Sequence, residues 1–340
     1  MLFRSVLILS FAATIGITAY VLGSGFAAPG PHPVLPAWAH LLALGLVVAE
    51  IGTRAVKIHW SAAALRIPLK FGTSLRVCLG GDFAASITPA RSGAEPARFL
   101  VLAEDGVQPA PALLILFTEL LLETWSLALL CGVFLFAFRG EGRVLGLMTG
   151  MIGGYATIVL AAGAAAYALA RTHAKGPPPA WAGSIGLHAG RWRAIQRALR
   201  SLRANLGALR HAAWGPMLAA FMASIVHVAL RLSILPVVAR ALDPSLAFAP
   251  LVLWPLVFLY GGAVAPAPGG GGAVEFGFQF AYAGTMSPAV LGGALLWWRF
   301  YTFYLYVILG GLSVGGTVLK ALRGQRHGRL HERAAHHDPA

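Results

Sequence analysis

The stretch FAPLVLWPLVFLYGGAVAPAPGGGGAVEFGFQFAYAGT, residues 248–285, is apolar at both ends and broken by the run PAPGGGG from Pro266 to Gly272. Its neighbours decide how it lies. The apolar stretches 214–240 before it and 288–319 after it are each long enough to cross a hydrocarbon core as a helix. The segment 171–213 carries Arg171, Lys175, Arg191, Arg193, Arg197, Arg200, Arg203 and Arg210 without one acidic residue, and Lys320, Arg323, Arg326 and Arg329 follow the last span. Clustered cations of this kind stay on the cytoplasmic face. Residues 248–285 therefore start and finish outside, as a re-entrant hairpin does.

The segments upstream obey the same parity. Full spans are expected at roughly 3–26, 37–56, 110–138 and 144–170, with Arg54, Lys57, Arg66, Lys70 and Arg76 read as a cytoplasmic loop after the second. Between that loop and the span at 110 lies 77–103, apolar at its ends and interrupted by Asp82, Pro89, Arg91, Gly93, Glu95 and Pro96. A single crossing would put the next element on the wrong side, so this piece is read as a hairpin entering from the cytoplasm. Units 37–138 and 214–319 then have the same layout in opposite senses, and paired Gly/Pro-broken segments of this sort point to a binding site in transporters. Kinked or buried helices are the plainer alternative.

The expected fold is an all-α integral membrane protein: about six transmembrane helices plus two oppositely oriented re-entrant hairpins, an inverted repeat with both termini cytoplasmic. Residues 1–320 form one transmembrane domain, and 321–340 a basic, disordered tail. Composition agrees. The 340 residues are 58% hydrophobic and 11% charged, with mean hydropathy +0.73, whereas soluble domains carry about a quarter charged residues. The net charge of +14 sits between spans, which argues against nucleic acid as its partner. Cys78 and Cys131 lie in apolar segments and read as packing residues, and the N-terminal apolar run is too long for a signal peptide. Within 171–213, Trp192, Ile195, Leu199, Leu202, Leu206 and Leu209 recur at helical spacing, as in a helix lying in the membrane interface.

The candidate functional residues are ionisable groups inside apolar segments, each costing about 2.5–3.5 kcal/mol to insert. They are Arg91, Glu95 and Arg98 in the first hairpin, Glu119 and Glu123 one turn apart in the next span, Glu275 in the second hairpin, and Arg299 in the last span. The second half of each hairpin should start near Ser92–Glu95 and Gly272–Glu275, with its first backbone N–H groups turned inward to attract an anion. Neutralisation of these charges by one another is the structural alternative. His59 and His227 read as interfacial or core residues. No His/Cys/Asp cluster has spacing suited to catalysis or a metal, and no cofactor is expected.

Four motifs resemble those of the flippase-like transmembrane region of lysylphosphatidylglycerol synthases, the family that includes the membrane half of the bacterial multiple peptide resistance factor. They are Pro89–Ala–Arg91–Ser–Gly93–Ala–Glu95; Glu119–Leu–Leu–Leu–Glu123, with Leu120 and Glu123 in place of the family's arginine and aspartate; Pro266–Ala–Pro268–Gly269–Gly270–Gly271–Gly272–Ala–Val–Glu275; and Arg299–Phe–Tyr301–Thr302. The resemblance implies a bacterial inner-membrane protein that moves a phospholipid, aminoacyl-phospholipid or isoprenoid-linked lipid between leaflets. The candidate site, from the buried ionisable residues and these motifs together, comprises Arg91, Gly93, Glu95, Arg98, Glu119, Glu123, Pro268, Gly269, Gly270, Gly272, Glu275 and Arg299. Membrane lipids are the expected partners, together with a separate lipid synthase, because only about twenty residues follow the last span. An intramembrane lipid-modifying enzyme and a non-transporting partner of a synthase are the alternatives.

Overall fold

The computed structural model describes residues 33–88, 90–171, 212–261 and 270–314, with a few isolated positions besides. The first span, the interfacial helix in 171–213, the tail, Pro89, Pro266, Pro268 and Gly269 lie outside the described residues. Among those described, the secondary structure is helical throughout: α1 Ala37–Ala64, α2 Phe71–Ile87, α3 Ala94–Glu104, α4 Pro109–Ala137, α5 Gly142–Arg171, α6 Trp214–Leu242, α7 Phe248–Gly261, α8 Ala273–Tyr282 and α9 Pro288–Val314. Helices α4, α6, α9 and Gly142–Ala165 of α5 are long and apolar enough to cross a membrane.

Helix α1 corrects the reading of the second span. It does not stop at residue 56 but runs to Ala64, so Arg54 and Lys57 are not loop residues; both are buried in the bundle. The charge count misled because both cations lie close to Arg66 and Lys70, which are exposed beyond the helix. Exposed Trp38 and Trp60 stand near the two ends of α1.

The most extensive helix–helix interface is between α1 and α6. The two run antiparallel: the Ala213 N–H donates to the Ala64 carbonyl at 3.0 Å, while Leu35 and Ala39 share a cluster with Leu242 and Leu246 at the other end. Small residues make this approach possible, with Ala39, Ala43, Ala55 and Ala62 of α1 and Ala220 and Ala239 of α6 fully buried. In α9, Gly310 lies so close to α2 that a Cβ there would be 2.5 Å from the Leu79 carbonyl oxygen.

Both segments read as hairpins are pairs of short helices that turn back on themselves. In the first, Thr88 is extended, as a residue before proline tends to be. Ala90 and Arg91 then adopt left-handed φ of 49° and 54°, unusual for residues with a Cβ. Gly93 closes the turn by donating its N–H to Thr88 Oγ1 at 2.9 Å, and a Cβ on it would meet that side chain at 2.8 Å. The outer ends of the pair are tied: Thr73 Oγ1 donates to Asp105 Oδ2 at 2.8 Å, and Arg76 bridges to Glu104 at 2.5 Å. The second pair, α7 and α8, is likewise tied at its outer ends, where the Tyr282 hydroxyl donates to the Pro250 carbonyl at 3.0 Å. These ties lie at opposite ends of the bundle. Asp105 neighbours the start of α4, where the α1 terminus also lies, whereas Pro250 follows the connection out of α6. In that connection the Ser245 hydroxyl and N–H both donate to Asp243, holding its carboxyl below the usual carboxylate range.

Candidate functional site

The ionisable side chains inside the bundle form a connected network around two adjoining cavities. Its spine is one face of α1, where Glu50, Arg54, Lys57 and Ser61 follow at helical spacing and all are buried. Arg54 reaches α2 and grips Asp82 with both Nη atoms, while its Nε lies 3.7 Å from Glu50. One turn later, Lys57 Nζ lies 3.0 Å from both Glu119 and Glu123 of α4. The two glutamates do share a face, and a fully buried lysine holds them together. Arg98 of α3 adds a second cation, 3.0 Å from Glu119 and 3.2 Å from Glu95.

Other partners complete the carboxylates. The Tyr306 hydroxyl donates to Glu50 at 2.7 Å, and the Tyr260 hydroxyl to Glu123 at 3.0 Å. Removal of one member of such a buried pair leaves an uncompensated charge, which costs about 3–5 kcal/mol. Much of the network therefore holds helices together whatever else it does.

Glu275 and Arg299 form a separate pair. Glu275 accepts the Gly272 N–H at 2.7 Å through Oε2 and faces Arg299 Nε at 2.8 Å through Oε1. Helix α8 starts where the glycine run indicates, with Gly270 and Gly272 at φ 70° and 81°, conformations open to glycine at no steric cost. Where the sequence suggests a free N-terminus for α8, Glu275 of the same helix already occupies it. The anion-attracting end is thus partly satisfied from within. At the other tip, α3 begins at Ala94, and Glu95 lies in its first turn.

Two guanidinium groups are held more loosely. Arg91 is 3.9 Å from Asp82, which Arg54 already engages, and its side chain is 34% exposed. Arg231 of α6 is 3.6 Å from Glu50, which Tyr306 already engages, and lies 5.1 Å over the Tyr306 ring. These two line both cavities. The larger, about 220 Å³, is walled by Arg54, Arg91, Arg98 and Arg231 against Glu95 and Glu123, with Tyr155, His227 and Tyr260. The smaller, about 40 Å³, lies between the hairpin tips and reaches Asp82, Arg91, Arg231, Val274 and Arg299.

Of the residues chosen from sequence, Arg91, Glu95, Arg98 and Glu123 line the larger cavity, Glu119 sits behind it, and Arg91 and Arg299 meet at the smaller one. Gly93, Gly270 and Gly272 shape the two turns. Missed were Glu50, Arg54, Lys57, Asp82, Arg231 and the cavity role of His227. Their signal was present: Glu50, Arg54 and Lys57 repeat along one helical face, and Arg231 stands one turn after His227 in an apolar span. Among the described residues no group of His, Cys, Asp and Glu could hold a metal ion.

A family profile described as lysylphosphatidylglycerol synthase TM region matches residues 7–310. No curated protein matches the chain. With a match spanning nearly all the helices and both cavities, the chain belongs to the lysylphosphatidylglycerol synthase transmembrane-region family, a membrane family linked to lipids.

Proposed function

We propose that this protein translocates a lipid headgroup between the leaflets of a bacterial inner membrane, with the headgroup passing through the larger cavity while the acyl chains stay in lipid. The observation that carries the reading is this cavity itself: about 220 Å³ bounded by four arginines, two glutamates, a histidine and two tyrosines inside an apolar bundle. Charges at this depth are expensive and mark substrate paths in membrane proteins. Arg91 and Glu95, both partly exposed, stand at its mouth to receive phosphate and cationic headgroup atoms, and Arg98, Glu119 and Glu123 set the charge balance behind them.

The two helix pairs act as re-entrant hairpins from opposite faces in this reading. Support comes from the ties at their outer ends, which return each pair to its own side, and from the antiparallel course of α1 and α6, as an inverted repeat requires. The end bearing Arg66, Lys70 and Arg76 faces the cytoplasm. A phospholipid, an aminoacyl-phospholipid and an isoprenoid-linked phosphate lipid all present chemistry that the cavity wall can meet.

The test is transport of fluorescent or aminoacylated phospholipid in proteoliposomes. Arg91→Gln and Glu95→Gln remove partly exposed groups at the mouth. A lost charge-assisted contact of about 1.5 kcal/mol or more corresponds to a rate drop of at least about tenfold. Wild-type rates in the double variant would sink the mechanism, and turnover of the lipid by the purified protein would replace it with an enzymatic one.

A further inference from the structure

The geometry points to a second site: a pocket for one small monovalent inorganic anion, of the halide class, between the two hairpin tips. It does not depend on the transport reading. The smaller cavity, about 40 Å³, is walled by Asp82, Ser86 and Arg91 on the side of the first hairpin and by Phe258, Leu259 and Val274 on the side of the second. Arg231 of α6 and Arg299, Thr302 and Tyr306 of α9 close it.

Among the described residues of its wall, N–H donors outnumber free acceptors. Of these residues, Arg91, Arg231 and Arg299 meet one carboxylate, Asp82, whose two oxygens are both taken by Arg54; behind the wall Arg299 pairs with Glu275 through Nε, and Arg231 lies 3.6 Å from Glu50 and donates to the Thr302 carbonyl at 3.5 Å. The hydroxyl protons are spent elsewhere: Ser86 donates to the Asp82 carbonyl at 2.7 Å, Thr302 to the Trp298 carbonyl at 2.7 Å, and Tyr306 to Glu50 at 2.7 Å. Meanwhile, among the described residues, Arg299 Nη2 and Arg231 Nε are buried with no hydrogen-bond partner, and Arg299 as a whole is only 4% exposed. Buried N–H donors without acceptors are costly, more so when charged.

A water brings donors as well as acceptors to a place already rich in donors; an anion brings acceptors alone. Size limits which one. The volume corresponds to about three waters, enough for a halide and too little for a glycerophosphate headgroup. Charge limits it further. Over the whole network Arg54, Lys57, Arg91, Arg98, Arg231 and Arg299 are matched by Glu50, Asp82, Glu95, Glu119, Glu123 and Glu275. With those charges balanced, three guanidinium groups around one carboxylate in the wall suit at most a single added negative charge, not a dianion.

The experiment uses the purified full chain in detergent. Its melting temperature is followed as sodium chloride replaces sodium gluconate at constant ionic strength, with parallel series in bromide, sulfate and glycerol phosphate. A saturable rise is expected in chloride and bromide and absent in sulfate. Arg231→Gln should move half-saturation upward by about tenfold or more, the equivalent of one lost charged hydrogen bond, while Lys70→Gln on the exposed surface leaves it in place. If Arg231→Gln does not fold, Arg231→Lys, which keeps the charge but removes Nε, should show the upward move. An equal rise in sulfate, or an unmoved half-saturation in the folded Arg231 variant, would overturn the assignment. So would glycerol phosphate that reproduces the chloride effect and competes with it, since the anion would then be a headgroup phosphate.

Discussion

Lys57 shows what a buried cation does in this bundle. It is fully buried, and its ammonium lies 3.0 Å from each of two carboxylates that would otherwise repel each other. Lys57→Met should destabilise the protein by about 3–5 kcal/mol, and adding Glu119→Gln should recover part of the loss by removing one stranded charge. Thermal unfolding in detergent, followed by the single and double variants, checks both expectations. The sequence made Glu119 and Glu123 legible because they stand alone in an apolar span. Lys57 was harder to recognise: it lies close to true surface cations, and a rule that counts charge has no means of telling a paired lysine from a solvated one. Packing supplies the missing information, since only the α1–α4 contact reveals the partner.

At the scale of elements, the broken segments were the most readable part of the chain. Prolines and glycines disrupt helices by local chemistry, so the turns at Thr88–Gly93 and Gly270–Gly272 could be located before any packing was known. The length of α1 was not readable in this way, because Glu50, Arg54 and Lys57 lower its apolarity while tertiary partners keep it helical. Nor did the sequence disclose which helices touch. Gly310 of α9 is an example: it is one of 41 glycines, and only the 2.5 Å approach to Leu79 singles it out. Gly310→Ala should force α9 away from α2 and cost about 1–3 kcal/mol, as overpacking does. Gly132→Ala in α4, where among the described residues a Cβ meets nothing within 4 Å, is the mid-helix control for the same melting measurement.

For the whole molecule, the helix ends fall into two sets. Ala64, Phe71, Glu104, Pro109 and Trp214 belong to one, and Ala37, Ala137, Leu242, Phe248 and Pro288 to the other. The proposed orientation puts the first set in the cytoplasm. A single cysteine at Lys70 should then react with an impermeant maleimide only from the inside of intact cells, and one at Ser245 only from the outside. Native Cys78 and Cys131 are buried, so they should contribute little background. Labelling of both positions from one side would break the inverted arrangement.

Trp38 and Trp60 on α1 are separated by 22 positions, which a helical rise of 1.5 Å per residue turns into about 33 Å. That is close to the roughly 30 Å thickness of a bilayer's hydrocarbon core, and indole rings of this kind settle at its two borders. Glu50 falls almost midway between them. A charge moving from water to this depth crosses about half of the membrane voltage, which acts on it with about 1 kcal/mol for every 100 mV. If the centre binds an ion or a headgroup as proposed, its occupancy therefore depends directly on the electrical state of the cell.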